Sequence, residues 1–74
     1  MMGWSTQHLI PEGADDPVQG NVKSIRDGTL VRLEAKHDLS VRTRFATECG
    51  SLYEITAKRP LGDRFSYEIA EVLL

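Results

Sequence analysis

Apolar and polar residues alternate with a period of two along most of the chain after residue 20. In residues 29 to 36, for example, Val31, Leu33 and Ala35 alternate with charged side chains. Such alternation is typical of strands with one buried and one exposed face. The pattern predicts four strands, with a further short strand near residues 22 to 26. Their expected ranges are 29 to 36, 40 to 48, 51 to 58 and 64 to 73.

Turn-forming residues separate these segments. Asp27-Gly28, Glu48-Cys49-Gly50-Ser51 and the stretch from Arg59 to Asp63 each combine polar residues with glycine, as tight chain reversals require. Connections this short join antiparallel neighbours. The sequence therefore predicts an all-β antiparallel meander of four or five strands that forms a small barrel or sandwich. Residues 64 to 74 also fit helical spacing, so strand and helix stay open at the end of that segment.

The first twenty residues have a different character. Pro11, Gly13, Pro17 and Gly20 interrupt them at short intervals, which argues against a long regular element. We expect residues 1 to 20 to form an irregular N-terminal arm, part of which packs through Trp4 and the Leu9-Ile10 pair, and residues 21 to 74 to form one small β domain.

One face of the predicted sheet carries an apolar surface that needs a cover. Its members are Val31, Leu33, Val41, Phe45, Tyr53, Ile55, Phe65, Tyr67 and Ile69. The arm offers few apolar side chains, and Pro11 and Pro17 prevent it from forming a helical lid. We therefore predict a homo-oligomer, most simply a dimer, with closure into a barrel as the competing way to bury this face.

Composition adds limits on the environment. The chain has 74 residues, 27% of them charged, and a formal net charge of −2, as in a small soluble domain. Its single cysteine, Cys49, cannot form an internal disulfide, which favours a reducing, cytoplasmic compartment. No apolar run is long enough for a membrane span or signal peptide. Residues 1 to 20 hold three carboxylates and no Lys or Arg. The remainder is close to neutral, which argues against bulk binding of nucleic acid.

Candidate catalytic groups are few. Cys49, His8 and His37 lack the spacing of a zinc site or an activated nucleophile, and no glycine-rich phosphate loop occurs. Glu54 and Glu68 have the parity of cross-strand partners of basic residues, which explains them without catalysis. We predict no enzymatic activity, no metal and no cofactor.

Arginines are the most suggestive residues of the chain. Arg42 and Arg44 lie one strand repeat apart on a single predicted face, and Arg32 joins them if the neighbouring segments pair as a hairpin. Arg59 and Arg64 flank the next loop. Guanidinium groups suit phosphate and carboxylate ligands, so these five residues are the predicted binding residues. Interleaved carboxylates also fit a merely solvated, charged sheet face.

The leading functional hypothesis is a non-enzymatic binding or regulatory module that acts, as an oligomer, through protein–protein contact or capture of a small anionic ligand. The first alternative is a nucleic-acid-binding β module that uses Arg32, Arg42 and Arg44. The aromatic residues of the strands have core parity, which counts against base stacking. The second alternative is a subunit of a small multimeric enzyme with an interfacial site. The hairpin pattern identifies no family.

Overall fold

A computed structural model describes residues 3 to 73 as a closed β-barrel. The described part of the chain has six strands. They are β1 (Gly3–Pro11), β2 (Val18–Ser24), β3 (Leu30–Ala35), β4 (Arg44–Ala46), β5 (Leu52–Leu61) and β6 (Arg64–Glu71). The predicted class, an antiparallel all-β domain in the form of a small barrel, is confirmed, with six strands instead of four or five.

The barrel consists of two three-stranded meanders. Strands β1, β2 and β3 pair in sequence, and so do β4, β5 and β6. Two further antiparallel pairings close the ring, β3 with β6 and β1 with β4. The third strand therefore pairs with the last one and not with the next along the chain, so β3 and β4 lie on opposite sides of the ring.

The prediction of an irregular N-terminal arm is wrong. β1 occupies Gly3–Pro11, and β2 begins at Val18. The chain breakers are compatible with these strands because of where they lie. Pro11 ends β1, Gly13 takes a positive φ of 83° in the connecting turn, and Pro17 precedes β2.

The apolar side chains of β1 differ in whether they pack in the barrel. Leu9 points into the barrel and is 1% exposed, whereas Trp4 and Ile10 are 48% and 54% exposed. The expectation that part of this segment packs is therefore confirmed for Leu9 and wrong for Trp4 and Ile10. Only the odd-numbered side chains of β1 face the interior, and Trp4 and Ile10 are even-numbered.

A single apolar core fills the barrel. Its buried members are Leu9, Val18, Val22, Leu30, Leu33, Ala35, Phe45, Tyr53, Ile55, Tyr67 and Ile69. Six of the nine predicted core residues are among them. Val31 is replaced by Leu30 because the β2–β3 register shifts after Lys23, so that Ser24 opposes Leu30.

The predicted strand over residues 40 to 48 shrinks to three residues. Val41 is 44% exposed, and Arg42 takes a positive φ of 82°, a conformation outside the β region. The predicted loop over residues 59 to 63 shrinks to the two residues Gly62-Asp63, because β5 continues to Leu61. β6 ends at Glu71, and no helix follows it up to Leu73. Leu74 lies outside the described residues.

The prediction of a dimer rested on an apolar sheet face that needed a cover. Closure of the barrel removes that reason. The apolar face is buried within one chain, as the competing account required. Self-association stays a prediction that needs another basis. Between residues 3 and 73, no helix is long and apolar enough to cross a membrane.

Candidate anion-binding face

Cationic side chains gather on the outer surface of β3, β6 and the second half of β5. Arg32 is the register partner of Glu68, Glu34 is the partner of Ser66, and Ser66 is the partner of Arg59. Cross-strand partners project to the same side of a sheet. We name this surface the basic face and define its cations as Arg32, Lys36, Arg59 and Arg64.

Two adjoining hollows shape the basic face. The larger has a volume of about 410 Å³ and combines amide and hydroxyl side chains of β1 and β2 with cations of β3 and β6. Its polar side chains come from Thr6, Gln19, Asn21, Glu34, Lys36, His37 and Arg64. Its volume falls in the range of ordinary small-molecule sites.

The smaller hollow, about 180 Å³, lies beside the first. It is lined by Arg32, Lys58 and Arg59, together with Ser66 and Glu68. The side chains of Arg32 and Arg59 lie on this side with Glu68, whereas Lys58 is the register partner of the buried Tyr67 and directs its side chain to the other face of β5. Glu34 of the larger hollow and Ser66 of the smaller one are register partners, so one ligand could extend from one hollow into the other.

Arg32 and Arg64 make only long ion pairs with carboxylates of the neighbouring strands. Arg32 Nη2 lies 3.9 Å from Glu68 Oε1, and Arg64 Nη1 lies 3.7 Å from Glu34 Oε1. Both pairs are long and partly exposed to solvent, a situation in which ion pairs contribute little stability. Lys58 pairs with Asp38. Within residues 3 to 73, Arg59 is exposed and makes no ion pair.

The other two predicted arginines lie elsewhere. Arg44 Nε donates a hydrogen bond to Glu54 Oε1 at 3.0 Å across β4 and β5. Arg42 and Arg44 share a hollow of about 280 Å³ with Thr43 and Glu12. The structure thus groups Arg32, Arg59 and Arg64 on the basic face and separates them from Arg42 and Arg44. The expected link between Arg32 and the Arg42-Arg44 pair is wrong because β3 pairs with β2 and β6.

Several residues of the face were not singled out by sequence reasoning. Gln19 and Asn21 were assigned to the arm or its boundary, but β2 places them on the outer surface next to β3. Their alternation with Val18 and Val22 was the available signal, since it is a strand pattern.

Other chemistry finds little support in the described part of the chain. Across residues 3 to 73, no three His, Cys, Asp or Glu side chains come together as metal ligands would. Cys49 is a free, exposed thiol in the turn between β4 and β5. His8 Nδ1 lies 3.6 Å from Glu48 Oε1 at the surface.

Comparison of the chain with protein-family models, with curated proteins and with solved structures finds no match.

Proposed function

We propose that the chain is a small non-enzymatic binding module that captures an anionic small molecule on its basic face. The observation that carries the proposal is the smaller hollow, where Arg32 and Arg59 lie beside one carboxylate, Glu68, and Arg59 makes no ion pair among residues 3 to 73. Guanidinium forks bind phosphate and carboxylate groups through paired, charge-assisted hydrogen bonds. The adjoining larger hollow offers amide and hydroxyl groups to the uncharged part of the same ligand.

The loose ion pairs support this assignment. An anion at the smaller hollow would replace Glu68 as the partner of Arg32, and it would give Arg59 a partner. Since an exposed pair at 3.9 Å contributes little, its exchange for a bidentate anion costs little. A rigid barrel also limits the conformational entropy that binding must remove.

Calorimetric titration with pyrophosphate and with citrate tests the proposal and separates phosphate from carboxylate recognition. We expect Arg59→Gln to weaken binding at least about tenfold, because a hydrogen bond to a charged group contributes about 1.5–3 kcal/mol. Arg44→Gln is the matched control, since it removes the same charge from β4, outside both hollows. Equal effects of the two variants, or no binding of either anion, would contradict the proposal.

One observation favours the nucleic-acid alternative in an altered form. Trp4 is 48% exposed, and in register it continues the row of Lys23 and Arg32 on the outer surface. An exposed aromatic beside cations is how sheets bind single strands. Arg42 and Arg44 have no part in this version because they lie on the other side.

Fluorescence separates this alternative from small-anion capture. Trp4 is the only tryptophan, so a single-stranded oligonucleotide stacked on it would quench the intrinsic emission. Binding should then fall steeply with salt, and Lys23→Gln should reduce that slope. Unchanged emission at saturating oligonucleotide would reject this version.

A further inference from the structure

The barrel leaves half of β1 without a neighbour on one side. Residues 3 to 9 pair with β2, whereas pairing with β4 is confined to Ile10 and Pro11. Between residues 3 and 73, no backbone hydrogen bond reaches the free side of Gly3 to Gln7. We name residues 3 to 7 the open β1 edge.

Hydrogen-bond parity identifies which groups this edge presents. The Glu12 N–H donates to the Arg44 carbonyl at 2.7 Å, so even-numbered residues of this segment direct their backbone groups towards the β4 side. In an antiparallel strand, the N–H and C=O of one residue point to the same side, and the side alternates along the chain. Trp4 and Thr6 therefore direct their backbone N–H and C=O groups to the open edge.

The open β1 edge lacks the features that usually block strand addition. Natural edge strands carry charged side chains, prolines or bulges that prevent pairing with another chain. Residues 3 to 7 contain no charge and no proline, and their register with β2 is regular.

We propose that the open β1 edge pairs antiparallel with the same edge of a second copy of this chain, about a two-fold axis at Ser5. This register places Trp4 of one copy opposite Thr6 of the other, so the two edges exchange four backbone hydrogen bonds. An interface of one edge with itself satisfies both copies at once. Because the segment is uncharged, self-pairing brings no like charges together.

The same register accounts for a further feature. Trp4 and Thr6 lie on the outer surface, so each exposed indole is covered by a threonine of the other copy.

Sedimentation equilibrium of the full chain, from micromolar to millimolar concentration, tests the proposal. We expect a mass twice the 8.3 kDa of one chain at the upper end. Thr6→Pro removes an edge N–H that β2 does not use, which edge strands tolerate, and the variant should remain at 8.3 kDa. Thr6→Val keeps that N–H and is the matched control, so it should still dimerise. Monomer alone in the wild-type chain, or monomer in Thr6→Val, would overturn the proposal.

A charge-swap pair locates the axis without relying on proline. Ser5→Lys places two ammonium groups opposite each other across the axis, and Ser5→Glu places two carboxylates there. Each variant alone should be monomeric, since like charges directly opposite are destabilising, and an equal mixture should form the dimer. Dimers of either variant alone, or no dimer in the mixture, would reject pairing at Ser5. Amide exchange of Trp4 and Thr6 should also slow as concentration rises.

Discussion

Among residues 3 to 73, the two longest strand edges that extend beyond their neighbours belong to β1 and β5, and they differ in how they are protected. On β1, residues 3 to 7 present an uncharged edge. On β5, pairing with β4 covers Leu52 to Glu54, and residues 57 to 61 extend past it. This second edge contains Lys58, Arg59 and Pro60. Each edge is five residues long, so sequence and not length distinguishes them.

Backbone parity sharpens the contrast. The two-residue Gly62-Asp63 turn makes Leu61 and Arg64 the closing pair of the β5–β6 hairpin, so alternation directs the backbone of Lys58 and Pro60 outward. Proline has no N–H to offer a partner. Lys58 in addition pairs with Asp38 of the loop beside it. The residues whose backbone points outward on the β5 edge, Lys58 and Pro60, therefore block pairing. The equivalent residues of the β1 edge, Trp4 and Thr6, do not.

The largest effect should come from detaching β1 from the core. Leu9 is 1% exposed, and Leu9→Ala should lower the free energy of unfolding by about 2–5 kcal/mol. Its neighbour Ile10 is 54% exposed, so Ile10→Ala is the matched control, with an expected loss within about 0.5 kcal/mol. Urea denaturation measures both. Equal losses would mean that the β1 edge is not held by Leu9.

Gly20, the register partner of Gln7, allows β2 to lie close to β3. A Cβ at this position would lie 2.6 Å from Leu33 Cδ1 and 3.2 Å from the Glu34 carbonyl oxygen. The leucine could move, but the backbone oxygen could not move as easily. Gly20→Ala should therefore cost about 1–3 kcal/mol. Gly3→Ala has open space and serves as the control. A neutral Gly20→Ala would show that the two strands separate without cost.

Tyr67 anchors the loop between β3 and β4, whose Asp38 pairs with Lys58 on the β5 edge. The Leu39 N–H donates to its hydroxyl at 2.8 Å, and the hydroxyl donates to the His37 carbonyl. Tyr67→Phe should cost about 1–2 kcal/mol through these bonds and loosen Asp38, the partner of Lys58. Retention of wild-type stability would separate the loop from the barrel.

The pH dependence of stability gives a second measurement on Tyr67. Burial raises its pKa above the ordinary value of 10.0. The folded state therefore keeps a proton that the unfolded state releases, so stability is fully present below pH 10 and falls as the pH rises above it. Tyr67→Phe should show a smaller decline in alkaline denaturation. An identical decline in both proteins would assign it to other groups.

The smallest change in stability should come from unblocking the β5 edge. Pro60→Thr restores an outward N–H at an exposed position and should alter the free energy of unfolding by less than about 0.5 kcal/mol. Its effect should appear in association, as species heavier than the dimer. Pro17→Thr, a change of the same residue type outside the strands, is the control. A variant that stays dimeric would show that Lys58 and Arg59 suffice as protection.

The sequence predicted local structure better than pairing. Alternation located β3, β5 and β6, and the Asp27-Gly28 turn is present, with Gly28 at a φ of 87° and Asp27 accepting a hydrogen bond from the Thr29 N–H. This bond lowers the pKa of Asp27. Alternation does not report which strand lies beside which. The β3–β6 pairing was therefore missed, and with it the separation of Arg32 from Arg44.

The N-terminal strands were missed for a different reason. Whether proline and glycine interrupt a strand depends on where they lie and not on how many there are. Pro11 at a strand end and Pro17 before a strand cost no ladder bond, and the smallest side chain at Gly20 is what close packing against Leu33 requires. The sequence predicted that arginines form the candidate site. The fold brings three of the five predicted arginines together. The hollows depend on tertiary packing that the sequence pattern does not contain.

β4 has a consequence for how the molecule opens. This strand is three residues long, and it alone joins the second meander to β1, at Ile10–Ala46 and Pro11–Phe45. The opposite junction, between β3 and β6, runs over four register pairs. Thermal fluctuations should therefore unzip the ring along the β1–β4 seam while each meander stays intact. Proteases and solvent would enter the interior by this route, which makes the shortest strand the weakest point of the barrel wall.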